Sequence, residues 1–135
     1  MSNLVKCKKA EFWLEEGVLF CELIPEKCKN DFEQDFIDDI LKAIATLSNG
    51  RYFPLIIDLR QLNDKLAFSV VKLLTKNPEL KSLILSKSFV VNSFFLQFGL
   101  IVLKGVQNPI IPNKIFRSYE NAVKYSLETN YIFNT

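Results

Sequence analysis

Tyr52-Phe53-Pro54-Leu55-Ile56-Ile57-Asp58-Leu59 is the stretch that decides the fold. Its apolar run is continuous, where a half-exposed strand would alternate, and that is the pattern of a strand buried on both faces of a parallel sheet. Asn49-Gly50 lies just before it and supplies the left-handed stop that ends a helix. Upstream of that stop, Phe36, Ile40, Ile44 and Leu47 recur at helical spacing, with Ile37 and Leu41 widening the stripe. Asn30 is the expected N-cap, with Glu33 three residues on as its capping-box partner. Asp31 to Asp39 places acids at the positive end of that helix dipole, either as a solvated face or as a docking face. Further upstream, Glu11–Glu15 and Val18–Ile24 flank Gly17 as a β-hairpin that Pro25 closes.

Downstream, Lys65–Lys76 reads as a second helix with Leu66, Val70, Leu73 and Leu74 on one side, N-capped by Asp64 and ended by Asn77-Pro78. Ser82–Val91 is a third long strand. Asn92-Ser93 caps an apolar helix from Phe94 to about Val106, and Lys114–Arg117 is a short strand. Ser118 caps a last helix through Leu127, leaving Tyr131-Ile132-Phe133 as an apolar tail. The expected order is ββαβαβαβα: an α/β fold with a mixed, mainly parallel sheet, an N-terminal antiparallel hairpin and four helices. The chain of 135 residues reads as a single domain over 1–135, with its core at about 11–128.

Apolar residues make up 49% and charged residues 24%, and the net charge of +2 is too small to suggest nucleic acid by itself, because phosphate binding needs clustered Lys and Arg. No nucleic-acid partner is expected. The chain has no histidine, which excludes Ser-His-Asp and Cys-His catalysis and His-ligated zinc. Cys7, Cys21 and Cys28 form no CxxC pair and read as reduced thiols of a cytoplasmic protein. The most apolar run, Phe94–Leu103, is too short to span a bilayer, and no signal peptide or stable membrane insertion is expected. No metal, cofactor or catalytic residue is expected, and the protein is read as no enzyme.

The element order resembles the STAS domain, the fold of bacterial anti-anti-sigma factors (SpoIIAA-like). Phe12-Trp13-Leu14-Glu15-Glu16-Gly17, Asn49-Gly50, Pro54-Leu55-Ile56-Ile57-Asp58-Leu59-Arg60 and Pro112-Asn113-Lys114-Ile115-Phe116, followed by Glu120 and Ala122, resemble a family of small STAS-like proteins of unassigned function from Bacteroidetes. The resemblance covers roughly residues 11–128 and implies a protein-binding or regulatory module. In anti-anti-sigma factors a phosphorylatable Ser caps the helix after the Asp-Leu strand. Here Arg60-Gln61-Leu62-Asn63-Asp64-Lys65 holds no hydroxyl, and Ser69 falls inside the helix.

Asp58, Arg60 and Asp64 stand at the carboxyl end of a central strand, where open α/β sheets bind ligands. Two readings stand: a partner contact surface, or a structural set in which Asp58 caps backbone groups and Arg60 pairs with an acid. Arg60, Asn63, Asp64, Asn92 and Ser93 are the partner-binding candidates, on a loop expected to be exposed and tolerant of substitution. Residues 1–67 hold 9 Lys and Arg against 12 Asp and Glu, whereas residues 68–135 hold 8 against 3, a split able to align partners if it persists in space. Trp13 reads as a packing residue of an edge strand. The Phe94 helix is apolar nearly all round, so it is either buried on several sides or presents one face to a partner or lipid. Phe94, Phe98 and Phe133 are therefore the dimer or ligand candidates. The expected function is a non-enzymatic interaction module, as a homodimer with a further protein partner. The alternative is a small carrier or sensor for an apolar ligand.

Overall fold

A computed structural model describes residues 4–28, 32, 34–93 and 113–134. Six strands form one mixed sheet in chain order: β1 (Leu4–Lys6), β2 (Ala10–Glu15), β3 (Val18–Leu23), β4 (Phe53–Asp58), β5 (Ile84–Val90) and β6 (Asn113–Phe116). β1, β2 and β3 pair antiparallel, and β3 through β6 pair parallel. The helices are α1 (Gln34–Ser48), α2 (Asp64–Lys76), the single turn α3 (Pro78–Lys81) and α4 (Tyr119–Asn134). The expected α/β architecture, with a mainly parallel sheet and antiparallel N-terminal strands, is present.

Several expectations need correction. β1 precedes the hairpin and pairs Leu4 with Trp13, Val5 with Phe12 and Lys6 with Glu11, so β2 is an interior strand and Trp13 is not on an edge. Three residues are too few to show alternation, which is why Leu-Val-Lys carried no strand signal. Asn63, not Asp64, caps α2: its side chain accepts the Leu66 N–H at 2.9 Å. Pro78 ends α2 as expected, but it also starts α3, whose cap is the Asn77 amide accepting from Leu80 N–H at 2.9 Å. The last helix runs on through Asn134, so Tyr131, Ile132 and Phe133 are its final turn and not a tail. No Gly or Pro interrupts residues 128–134, and the Asn134 amide donates to Tyr52 O and Asn130 Oδ1, both at 2.8 Å. The cap assigned to Asn30 and the helix at Phe94 lie outside the described residues.

Each face of the sheet has its own apolar cluster. On one, Phe12, Leu19, Leu55, Ile57 and Phe89 pack under α1 and α2. On the other, Val18, Phe20, Ile56 and Val90 pack under Ala122 of α4. All six residues of β4 are buried, as the unbroken apolar run requires. The β2–β3 turn uses Glu16 (φ 52°) and Gly17 (φ 76°), the two left-handed residues that match the strand twist in a two-residue hairpin. A Cβ on Gly17 would collide with the Asn130 amide of α4, so hairpin and helix meet at this glycine.

Lys87 of β5 is fully buried on the α2 face, and its ammonium donates to Leu74 O at 3.1 Å, in the last turn of α2. Burial lowers its pKa from the ordinary 10.5 to about 8, with the Lys81 charge adding to the effect. Between those values the unfolded chain holds a proton that the folded chain has shed, so stability from this group rises as pH climbs from about 8 to 10.5. Below pH 8 both states are protonated and the full cost of burying the charge is present. Lys87→Met should raise the urea midpoint at pH 7 by the equivalent of about 1–3 kcal/mol and flatten the stability profile across that window. A large loss of stability at pH 7 would instead show that the Leu74 bond outweighs desolvation.

Candidate functional site

Asp58 closes β4 and is almost fully buried, and the chain turns sharply after it. The Asp58 carboxylate accepts the backbone N–H of Arg60 at 3.1 Å, a local turn that an Asp two residues ahead makes readily. The same carboxylate takes the Arg60 guanidinium in bidentate fashion, with Nε to Oδ1 at 2.9 Å and Nη2 to Oδ2 at 2.8 Å. The Arg60 guanidinium then lies 4.9 Å from the Tyr119 ring centre, at the first turn of α4. Asn92, after β5, donates its amide to Arg60 O at 2.6 Å. The carboxyl ends of β4 and β5 and the start of α4 are thereby tied through one arginine.

Of the candidates named from sequence, Arg60 and Asn92 are joined directly, and Ser93 follows half-buried. Asn63 and Asp64 sit at the start of α2, with Asn63 occupied as its cap and Asp64 exposed. Leu62, just before them, packs against the core. The loop is exposed at Arg60, Gln61, Asn63 and Asp64, as expected, and the side chains of Arg60 and Asn63 each hold a structural bond. Phe94 and Phe98 lie outside the described residues, and with them the reading of that segment as a dimer or ligand surface. Phe133 is 67% exposed at the end of α4.

Tyr119 was not legible as a member of this site, because only the crossing of α4 over the sheet brings it beside Arg60. From Tyr119 the aromatic contacts continue across the face: Phe20 at 6.4 Å, then Trp13, stacked on Phe20 at 5.3 Å and 8°. Burial, then the Asp58 carboxylate, raise the Tyr119 pKa, and the hydrogen bond to Asp58 raises that of Arg60. Tyr119 is thereby held neutral and Arg60 cationic at neutral pH.

The cysteines are free thiols. Burial raises the pKa of Cys7, Cys21 and Cys28 alike, which keeps them protonated and weakly nucleophilic at neutral pH. Among the described residues no group of His, Cys, Asp and Glu could hold a metal ion, and no helix is long and apolar enough to cross a membrane.

Fold and site together define an α/β protein with a mixed six-stranded sheet, helices on both faces and an arginine-locked carboxyl edge. A family model described as a domain of unknown function, DUF7793, matches residues 12–130, and the chain belongs to that family. No curated protein and no solved structure matches it.

Arg60→Ala strips a buried carboxylate of its bidentate partner and should cost about 1–3 kcal/mol in urea unfolding. Arg60→Lys should restore only part of this, because an ammonium cannot reproduce the fork. A loss within about 0.5 kcal/mol for the alanine variant would return Arg60 to the class of free loop charges.

Proposed function

We propose that the protein is a non-enzymatic, STAS-like interaction module that works as a homodimer through the end of α4. The observation that carries this reading is the exposure of Tyr131, Ile132 and Phe133 at 70%, 68% and 67%, with Tyr52 beside them at 53%. Three consecutive helical residues cannot share one buried face, so this turn projects beyond the sheet that α4 covers. A fully buried aromatic side chain covers about 150–250 Å2, so three aromatic rings and one isoleucine, each more than half exposed, approach the size of patch that monomers seldom leave uncovered. A two-fold axis covers such a patch economically, because the same surface serves both subunits.

Absence of chemistry in this reading follows from the state of the reactive groups. Asp58 is engaged by Arg60, the thiols are held protonated, and the chain has no histidine. The STAS-like reading is supported by the Asp58-Leu59 strand end followed by a capped helix. The cap is the Asn63 amide, with no hydroxyl to phosphorylate, and the Ser69 hydroxyl donates to Lys65 O at 3.1 Å within α2. Partner exchange would therefore be governed by concentration and affinity and not by phosphate on that loop.

Sedimentation equilibrium should give a dimer for the unmodified protein. Ile132→Glu combined with Phe133→Glu should give a monomer with an unchanged circular dichroism spectrum. A unmodified protein that stays monomeric at high concentration would overturn the dimer.

A further inference from the structure

Six strands at about 4.8 Å spacing make a sheet near 24 Å across, whereas one helix with its side chains covers about 10–12 Å. On the face opposite α1 and α2, α4 is the described helix, and it packs on β3, β4, β5 and β6. The β1–β2 side of that face is left beside it. There Leu4, Trp13 and Phe20 lie in register across β1, β2 and β3 as an apolar floor. Leu4 is 40% exposed and Trp13 half-buried, while Phe20 is nearly closed off by the Trp13 ring stacked on it.

The side of α4 that turns toward this floor is apolar too. Tyr119, Val123 and Leu127 repeat at i, i+4, i+8, and the stripe is fixed to the hairpin side by Tyr119 against Phe20 and by Asn130 against Gly17. Above it, an open groove of about 520 Å3 is lined by these three residues with Glu120, Lys124 and Glu128. Trp13 of the floor and Tyr119, Val123 and Leu127 of the helix pack against the same small cluster, so floor and helix stripe are neighbours.

Charge selects what fits. Glu11 and Glu22, paired in register, border the floor on one side, and Glu15 borders it on the other. With Glu120 and Glu128 on the helix rim, five carboxylates face Lys6 and Lys124, while Arg60 is engaged by Asp58. We infer that this face receives an amphipathic helix of a partner protein, lying alongside α4 with its apolar stripe on Leu4, Trp13 and Phe20 and its Lys and Arg residues toward Glu11, Glu15 and Glu22. Six-residue strands are about 20 Å long, which sets the bound helix at about 13 residues. The basic residues belong near both ends, because Glu11 and Glu15 stand about 13 Å apart along β2. This deepens the interaction-module reading without depending on self-association.

Trp13 is the only tryptophan of the chain, so its fluorescence reports on the groove directly. The full chain is titrated with a helical peptide of about 14 residues, leucine on one face and lysine on its flanks, and with a second peptide in which glutamate replaces lysine. The lysine peptide should saturate a Trp13 blue shift, weaken as salt is raised, and bind at least tenfold more tightly than the glutamate peptide. Glu15→Lys with Glu22→Lys, both on exposed side chains, should erase that preference, and Val123→Glu should weaken both peptides. Equal affinity for the two peptides, or no Trp13 response to either, overturns the proposal. Binding to phosphatidylserine vesicles with none to peptide assigns the face to a membrane and overturns it as well. Sedimentation with the peptide present separates the two readings. A dimer that keeps the peptide bound supports a distinct groove, a monomer that still binds peptide removes only the dimer, and a peptide that splits the dimer overturns the groove as a separate surface.

Discussion

A single helix is too narrow to cover one side of a six-stranded sheet, and among the described residues α4 is the one helix on its face. β4 is buried on both faces, so both need a helical layer. One face receives α1 and α2, whose apolar stripes meet the sheet in a large cluster. The other receives α4 and a much smaller cluster. What α4 does not reach is finished with side chains: Trp13 laid flat on Phe20, and carboxylates placed around them. Aromatic rings tolerate this position because they shield apolar area while accepting partial contact with water.

The placement of α4 is correspondingly over-determined. Its sheet-facing stripe is Ala122, Ser126 and Thr129, small side chains that let the helix approach closely over Ser86 and Ser88 of β5. The hydroxyls of Ser86, Ser88 and Ser126 are buried without a hydrogen-bond partner among the described residues, a cost accepted in exchange for close packing. At its start α4 is held by the Arg60–Tyr119 stack, and at its end by Asn134 on Tyr52 and Asn130 on Gly17. The helix is thus pinned at both ends while its last turn and one flank stay open.

The polar residues at the carboxyl edge show how a ligand-like pattern can be consumed by structure. Asp58, Arg60, Asn63 and Asn92 occupy the position where α/β sheets hold ligands. Here Asp58 and Arg60 neutralise each other, Asn63 closes α2, and Asn92 holds the Arg60 carbonyl. The edge thereby ties β4, β5 and α4 together. Lys87 follows the same logic on the other side, where a buried ammonium closes the last turn of α2.

Local physics was legible in the sequence. Asp58 and Arg60 stood open between a contact surface and a structural pair, whereas the hairpin turn at Gly17, the unbroken run through Ile57 and the helical stripes of α1 and α2 all depend on residues a few positions apart. The sheet class followed from them, because a doubly buried strand has few architectures open to it. Beyond that reach the sequence carried no signal. β1 is three residues long and pairs with β2, and α4 continues past Leu127 with Asn130 packed close against Gly17 and Asn134 bonded to Tyr52 O. Lys87 reads as a surface residue until the register places it opposite Leu55. Tyr119 joins Arg60, and Trp13 gains its place on the open floor, only when α4 is laid across particular strands. Periodicity tells which side of an element is apolar; which apolar side stays uncovered depends on where the last helix lands, and contacts far apart in the chain decide that.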